Sequence, residues 1–212
     1  MGARALILDD GMQHRGIARD LEVVVVDQLD PFGHGYFLPR GLLRESRHSL
    51  ARADLIIINH AQDSEKSENL KRQISHFSSA PVIRTCVEVV GVYNLKDQPL
   101  ELKSGAKIGI FCGIAHPEYF KKTVEQLGVV VIDQFCFPDH DAMNLDALMP
   151  YSKRCRNKNG SVLLCTEKDR VKLIGTGALE LPIGWVKTRL NILEGHEHWQ
   201  ALMERAKMNL GN

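Results

Sequence analysis

Short, unbroken aliphatic runs separated by stretches of helical period constrain this chain more than any other feature. Leu6 to Leu8, Leu21 to Val26 and Leu55 to Ile58 are too continuous for a half-exposed antiparallel ladder. Continuity of that kind belongs to strands buried on both faces of a parallel sheet. A helix is predicted over about Ser64 to Phe77, followed by a strand at Pro81 to Val87. Alternation of this sort defines an α/β fold with crossover helices.

The texture then changes. Val89 to Leu102 is β-rich but broken by Asn94, Asp97 and Pro99, and reads as a hairpin or connector. A second α/β set begins at Lys107 to Cys112 and turns through Gly113-Ile114-Ala115-His116. It enters a helix with Pro117 in its first turn and Phe120, Val124 and Leu127 as its buried stripe. Strands at Val129 to Ile132 and Val162 to Cys165 flank a helix near Leu145 to Arg156. A last strand near Trp185 to Ile192 precedes a terminal amphipathic helix, about His196 to Met208. Residues 1–87 are expected to form one lobe, 88–104 a β connector, and 105–212 a second lobe with a returning strand and the terminal helix.

Composition supports a core and narrows the partners. Of the 212 residues, 44% are hydrophobic, enough to bury a sizeable interior. A net charge of +1 gives no field for holding nucleic acid. No protein partner is evident. The five cysteines are widely spaced and lack a C-x-x-C pair, so they read as reduced core residues of a cytosolic protein. The aliphatic runs fall far short of the ~20 residues that a membrane helix needs.

Polar residues cluster where strands end. Asp9-Asp10-Gly11-Met12-Gln13-His14 puts two acids, an amide and an imidazole directly after the first apolar run. Acids followed by glycine at the carboxyl edge of a parallel sheet can set oxygen ligands beside a magnesium phosphate; the plainer reading is a turn with Asp as a helix cap. Asp30 to Gly41 is a long loop after the second strand, a functional loop or an Ω-loop packed by its own aromatics. It leads into Arg44 and Glu45, suited to phosphate charge and metal coordination or to an ordinary exposed ion pair. His140 stands between Asp139 and Asp141, where a carboxylate could orient it and raise its pKa, or where it is structural. Thr166-Glu167-Lys168-Asp169 reads first as a capped helix start, with Asp169 in the capping-box position. The patterns G-x-S-x-G, H-E-x-x-H and G-x-G-x-x-G are absent, and no Gly-Lys dipeptide exists to form a Walker phosphate loop.

Taken in order, the stretches LILDDGMQH, RDLEVVVVDQLDPFGHGYFLPRGLLRE, RADLIIIN, GIAHPEYF, FPDH and TEKDRVKL resemble the tetraacyldisaccharide 4'-kinases, the lipid A 4'-kinases. The resemblance spans nearly the whole chain. It implies an incomplete P-loop NTPase-like parallel sheet plus a smaller α/β lobe, with ATP and Mg2+ as cofactors. It further implies phosphorylation of the 4'-hydroxyl of a tetraacyldisaccharide 1-phosphate, a lipid disaccharide. Carried over by resemblance, Asp9 and Asp10 form the Walker-B-like acid pair and Arg44 stands near phosphate. Gln13 and His14 face the nucleotide, Asp10, Gln13 and Glu45 surround the magnesium, and His140 supports a catalytic aspartate. Met12, His34, Arg40 and Met143 depart from the family's usual residues, while the acids and His140 are kept. The family's amino-terminal portion, with its phosphate loop and membrane-docking helix, is expected to be missing. Through it the enzyme would sit peripherally on the cytoplasmic face of the inner membrane, and without it this chain is expected to be inactive. The alternatives are a non-catalytic remnant or partner-binding fragment of such a kinase and a receiver-like phosphoacceptor domain. The last is disfavoured because Asp54 precedes the third strand, where an acceptor should follow it.

Overall fold

A computed structural model describes residues 4–114, 116–138, 143–174 and 179–211. In chain order the elements are β1 (Val23–Asp27), β2 (Leu55–Asn59), α1 (Ser64–Ser75), β3 (Val82–Asn94), β4 (Lys107–Cys112), α2 (Pro117–Glu125), β5 (Val130–Cys136) and β6 (Met143–Asn144). They continue with α3 (Leu145–Asn157), β7 (Val162–Thr166), α4 (Glu167–Arg170), β8 (Leu173–Ile174), β9 (Ile183–Glu194) and α5 (His196–Gly211). Two compact units result, Met1–Val87 with Leu190–Asn212, and Glu88–Arg189. The long strands β3 and β9 each contribute to both.

In the first unit the strands lie in the order β1, β2, β3, β9, with β1, β2 and β3 parallel. Val23 stands opposite Leu55, and Asp27 opposite Asn59 at the carboxyl edge. Ile56 and Ile58 of β2 pack with Leu70 and Ile74 of α1, whereas Leu55 packs with Ile83 and with Leu202 of α5. Both faces of β2 are thus covered, which is why its run is unbroken. Full burial of each of these side chains stabilises by roughly 1.5–3 kcal/mol before entropy is counted. Helix α1 begins where the Asp63 carboxylate accepts the Lys66 N–H at 3.1 Å.

Two sequence expectations need correction here. No strand forms at Leu6 to Leu8; Leu6 is 78% and Ile7 93% exposed. An apolar run becomes a strand only beside a ladder edge that accepts it, and none of the described strands pairs with this one. The reading also grouped 105–212 together, whereas the compact units place Leu190–Asn212 with the first. Trp199, Leu202 and Met203 of α5 pack with Leu55 and Ile83, and Arg205 bonds Asp54 at 2.8 Å. Lys71 and Arg84 both pair with Glu194, at 2.6 and 3.1 Å. The expected connector is largely the far half of β3, after which Asn94 Oδ1 accepts the Lys96 and Gln98 N–H groups and turns the chain, and Tyr93 bridges Pro99.

In the second unit the order is β3, β9, β7, β4, β5, and β9, β7, β4 and β5 are parallel. Phe120 and Val124 of α2 bury one face against Ile108, Ile110 and Cys112. Leu148, Tyr151 and Cys155 of α3 bury the other against Phe111, Leu163 and Cys165. A Cβ on Gly109 would stand 2.6 Å from Cys155 Sγ and 2.9 Å from Tyr151 Oη, so glycine there lets α3 close on the sheet. Burial pushes the Cys112 thiol up to about 12, as befits a core residue. Cys136, at the end of β5, is instead exposed.

Asp133 of β5 is held by Arg154 at 2.7 Å and Lys158 at 2.8 Å. The Arg154 hydrogen bond, with Lys158 after it, lowers its pKa from 3.8 to about 2 despite opposing desolvation. A carboxyl acidified on folding stabilises fully above its unfolded value and loses that contribution as pH falls through the folded one. Asp133→Asn should therefore melt about 2–4 °C below the parent at neutral pH, a modest shift because the cations are half exposed. The two melting curves should converge as the pH approaches 2. An equal gap at every pH measured by circular dichroism would show that the carboxylate charge is not involved.

Candidate active site

The acid pair sits on a tight turn. Asp10 has a left-handed backbone (φ 52°), Gly11–Gln13 is a single 3-10 turn, and Asp9 Oδ1 accepts the Asp10 N–H at 3.1 Å. Three arginines secure the segment: Arg19 donates to the Gly11 and His14 carbonyls and pairs with Glu22, Arg52 donates to the Met12 carbonyl, and Arg44 reaches Asp10. The plain reading of a helix cap fails, since the Asp10 side chain makes no capping hydrogen bond.

Arg44 Nη1 lies 3.2 Å from Asp10 Oδ2, and both side chains are largely exposed. This is the central contact of the site, because it joins residues 34 positions apart through groups that remain open to solvent. Glu45 is the opposite case. Its carboxylate is only 13% exposed and accepts from Arg52 at 2.6 Å and Arg15 at 3.1 Å. A Ser49 hydrogen bond, then Arg15 and Arg52, hold its carboxyl below the usual range against the burial that would raise it. Gln13, Arg44 and Glu45 line a cavity of about 170 Å³ floored by Val24, Val26 and Phe32. His14 is exposed, and its backbone N–H closes the turn on the Gly11 carbonyl at 3.0 Å.

The loop after β1 is built by its own backbone. Gly33 (φ +52°), His34 (φ 60°) and Gly35 (φ +79°) turn the chain in a left-handed conformation, and Leu42 N–H bonds the Gly33 carbonyl at 3.0 Å. A Cβ on Gly41 would collide with the Tyr36 and Gly33 carbonyl oxygens. Phe32 is buried beneath, under the Arg47 guanidinium, but Tyr36 and Phe37 are exposed, so the loop is not packed by all its aromatics. Arg44 and Glu45 emerge from it before the Ser46-capped 3-10 turn Arg47–Arg52, and they pair with the acid turn and its arginines.

In the second unit Thr166 does cap α4: its hydroxyl accepts the Asp169 N–H at 3.1 Å and donates to Asp169 Oδ2 at 2.7 Å. Asp169, fully buried, also accepts the Gly113 N–H at 3.1 Å, which ties the strand ends of β4 and β7 together. His140 lies outside the described residues. The arginines 15, 19 and 52 are the site residues that sequence reading passed over. Arg15 and Arg19 had a signal in their closeness to the acid turn, whereas Arg52 had none.

Among the described residues no three or more His, Cys, Asp or Glu side chains gather to enclose a metal. Magnesium in phosphoryl-transfer sites needs no such cage, being held by one or two carboxylates together with substrate phosphates and water. The exposed Asp10 carboxylate fits that description, while Glu45 is committed to its two arginines.

The first unit thus sets an acid turn and an arginine beside a cavity in a parallel α/β unit. The crystal structure of LpxK from Aquifex aeolicus, in complex with ATP, shares the fold: TM-score 0.63 and 23% identity, over 92% of this chain and 55% of that one. Residues 1–207 match the family model described as tetraacyldisaccharide-1-P 4'-kinase, and the chain belongs to that family. Relatives bearing the name tetraacyldisaccharide 4'-kinase include one from Chlorobium luteolum, 36% identical over 90% of this chain and 55% of its own length. Another, from Chlamydia caviae, is 34% identical over 94% of this chain and 55% of its own. The chain thus spans about half the length of the curated relatives it matches.

Proposed function

We propose that this chain carries the acid-and-arginine half of the active site of a lipid kinase, which transfers the γ-phosphoryl group of ATP to the 4'-hydroxyl of a tetraacyldisaccharide 1-phosphate. The contact between Asp10 and Arg44, open to solvent beside the cavity, carries the reading. Phosphoryl transfer is catalysed by positioning and charge neutralisation more than by covalent chemistry. Arg44 offers a planar cation to phosphate oxygens, which compete for it with Asp10. Asp10, released from that pair, would hold magnesium together with the phosphates, and magnesium when bound supplies charge for the phosphate oxygens. Asp9 fixes the turn that aims Asp10. Gln13 at the cavity wall and exposed His14 face the nucleotide, and Glu45, which binds Arg15 and Arg52, braces the turn through Arg52. Gln13, at the cavity wall, adds an amide oxygen to the metal's surroundings. His140 supports the catalytic aspartate.

A lipid acceptor places the reaction at the cytoplasmic face of the inner membrane, with peripheral attachment; no helix among the described residues is long and apolar enough to cross a membrane. The test joins this chain behind the amino-terminal portion of the Chlorobium luteolum relative. The purified chimera, given magnesium, radiolabelled ATP and tetraacyldisaccharide 1-phosphate, should label the lipid at the 4' position. A folded chimera that labels no lipid while the intact relative does so rejects the reading.

A further inference from the structure

The loop that follows β1 ends in a contiguous apolar tip whose side chains face solvent. Tyr36 is 47% exposed, Phe37 54%, Leu38 60% and Leu42 58%. Folding does not tuck them under, although Phe32, a few residues earlier, is buried. From His34 to Leu43 the segment holds one arginine, Arg40, and no acid, while Arg44, the next residue, is paired with Asp10. The Arg40 guanidinium lies 3.8 Å over the Tyr36 ring, so a cation and an aromatic share one edge of the tip.

We infer that this tip docks on an anionic bilayer, with Phe37, Leu38 and Leu42 entering the boundary between headgroups and acyl chains and Arg40 resting among the phosphates. Three observations favour a lipid surface. Apolar residues rimmed by arginine and tyrosine match the layering of a membrane interface, where amphipathic side chains keep their polar ends in the headgroups. The cationic rim complements anionic lipid. The backbone is also prepared for a low dielectric: Leu38 N–H bonds the Leu43 carbonyl, Gly41 the Phe37 carbonyl, Leu42 the Gly33 carbonyl and Leu43 the Tyr36 carbonyl, at 3.0–3.3 Å. Amides that already have partners cost little to remove from water. The choice of a bilayer over a protein surface rests on these features together with the lipid substrate proposed above.

Sedimentation of the full chain with vesicles of equal parts phosphatidylglycerol and phosphatidylcholine tests this without catalysis. The chain should pellet with these vesicles and much less with pure phosphatidylcholine. Phe37→Ser combined with Leu38→Ser should weaken partitioning about tenfold or more, as loss of two inserted apolar side chains implies. Arg40→Glu should weaken it on the anionic vesicles only. Leu190→Ser, which removes an apolar side chain 62% exposed on β9, should change nothing. Circular dichroism confirms that each variant is folded. Failure of the parent to bind, equal binding by the double variant, or a concentration-dependent dimer that the double variant abolishes would overturn the inference, the last by making a second copy the occupant. Vesicle binding without phosphoryl transfer by the chimera would remove the kinase reading and leave the docking surface standing, and the reverse would remove only the docking surface.

Discussion

Assayed alone, the 212-residue chain should phosphorylate tetraacyldisaccharide 1-phosphate at least about a thousandfold more slowly than the same chain joined to a relative's amino-terminal portion. The reason is local. Phosphoryl transfer depends on backbone amides and a lysine that cradle the β and γ phosphates, and no Gly-Lys dipeptide is present to form that loop. What the described site offers is the exposed Asp10–Arg44 pair and a cavity of about 170 Å³. These can neutralise part of the developing charge but cannot align three phosphates in line with an attacking hydroxyl. Single-turnover assays of chain and chimera at equal concentration decide the matter. Comparable rates would show that the phosphate loop is dispensable. A chimera as inert as the chain would favour a non-catalytic remnant.

In the active chimera, Asp10→Ala should lower kcat/KM for ATP by roughly 10²–10³-fold and raise the magnesium concentration needed for half-maximal rate. It removes the exposed carboxylate and leaves Arg44 without its partner. The fold should survive, because the pair is largely exposed and contributes little stability. His140→Ala should act differently, lowering kcat by roughly ten- to a thousandfold, within or just below the range for acid–base assistance, with the magnesium requirement unchanged. Steady-state kinetics with a melting curve for each variant separate the two. If His140→Ala changes only the melting temperature, the histidine is structural. If Asp10→Ala leaves the magnesium dependence untouched, the metal is held elsewhere.

The sequence by itself determined much of the secondary structure and the chemistry of the site. Leu55 to Ile58 reads as a doubly buried strand, and α1, α2 and α3 follow from helical period, with Pro117 in the first turn of α2. Glycine after paired acids identified the turn at Asp9 and Asp10, and the order of motifs identified the family. Tertiary structure decided what local pattern could not. Leu6 to Leu8 has the composition of a strand and is not one, because a strand needs an edge to pair with. α5 belongs with β2 and β3 because Leu202 fits against Leu55 and Ile83, a match that no short-range signal records. The same holds within the site: residue type leaves Arg44 and Glu45 open between phosphate and metal contacts and an ordinary exposed ion pair, and the resemblance implies the former. Only the folded chain sets Arg44 against Asp10 in the open and draws Glu45 down to Arg15 and Arg52, since ion pairs between distant positions form where packing brings them together.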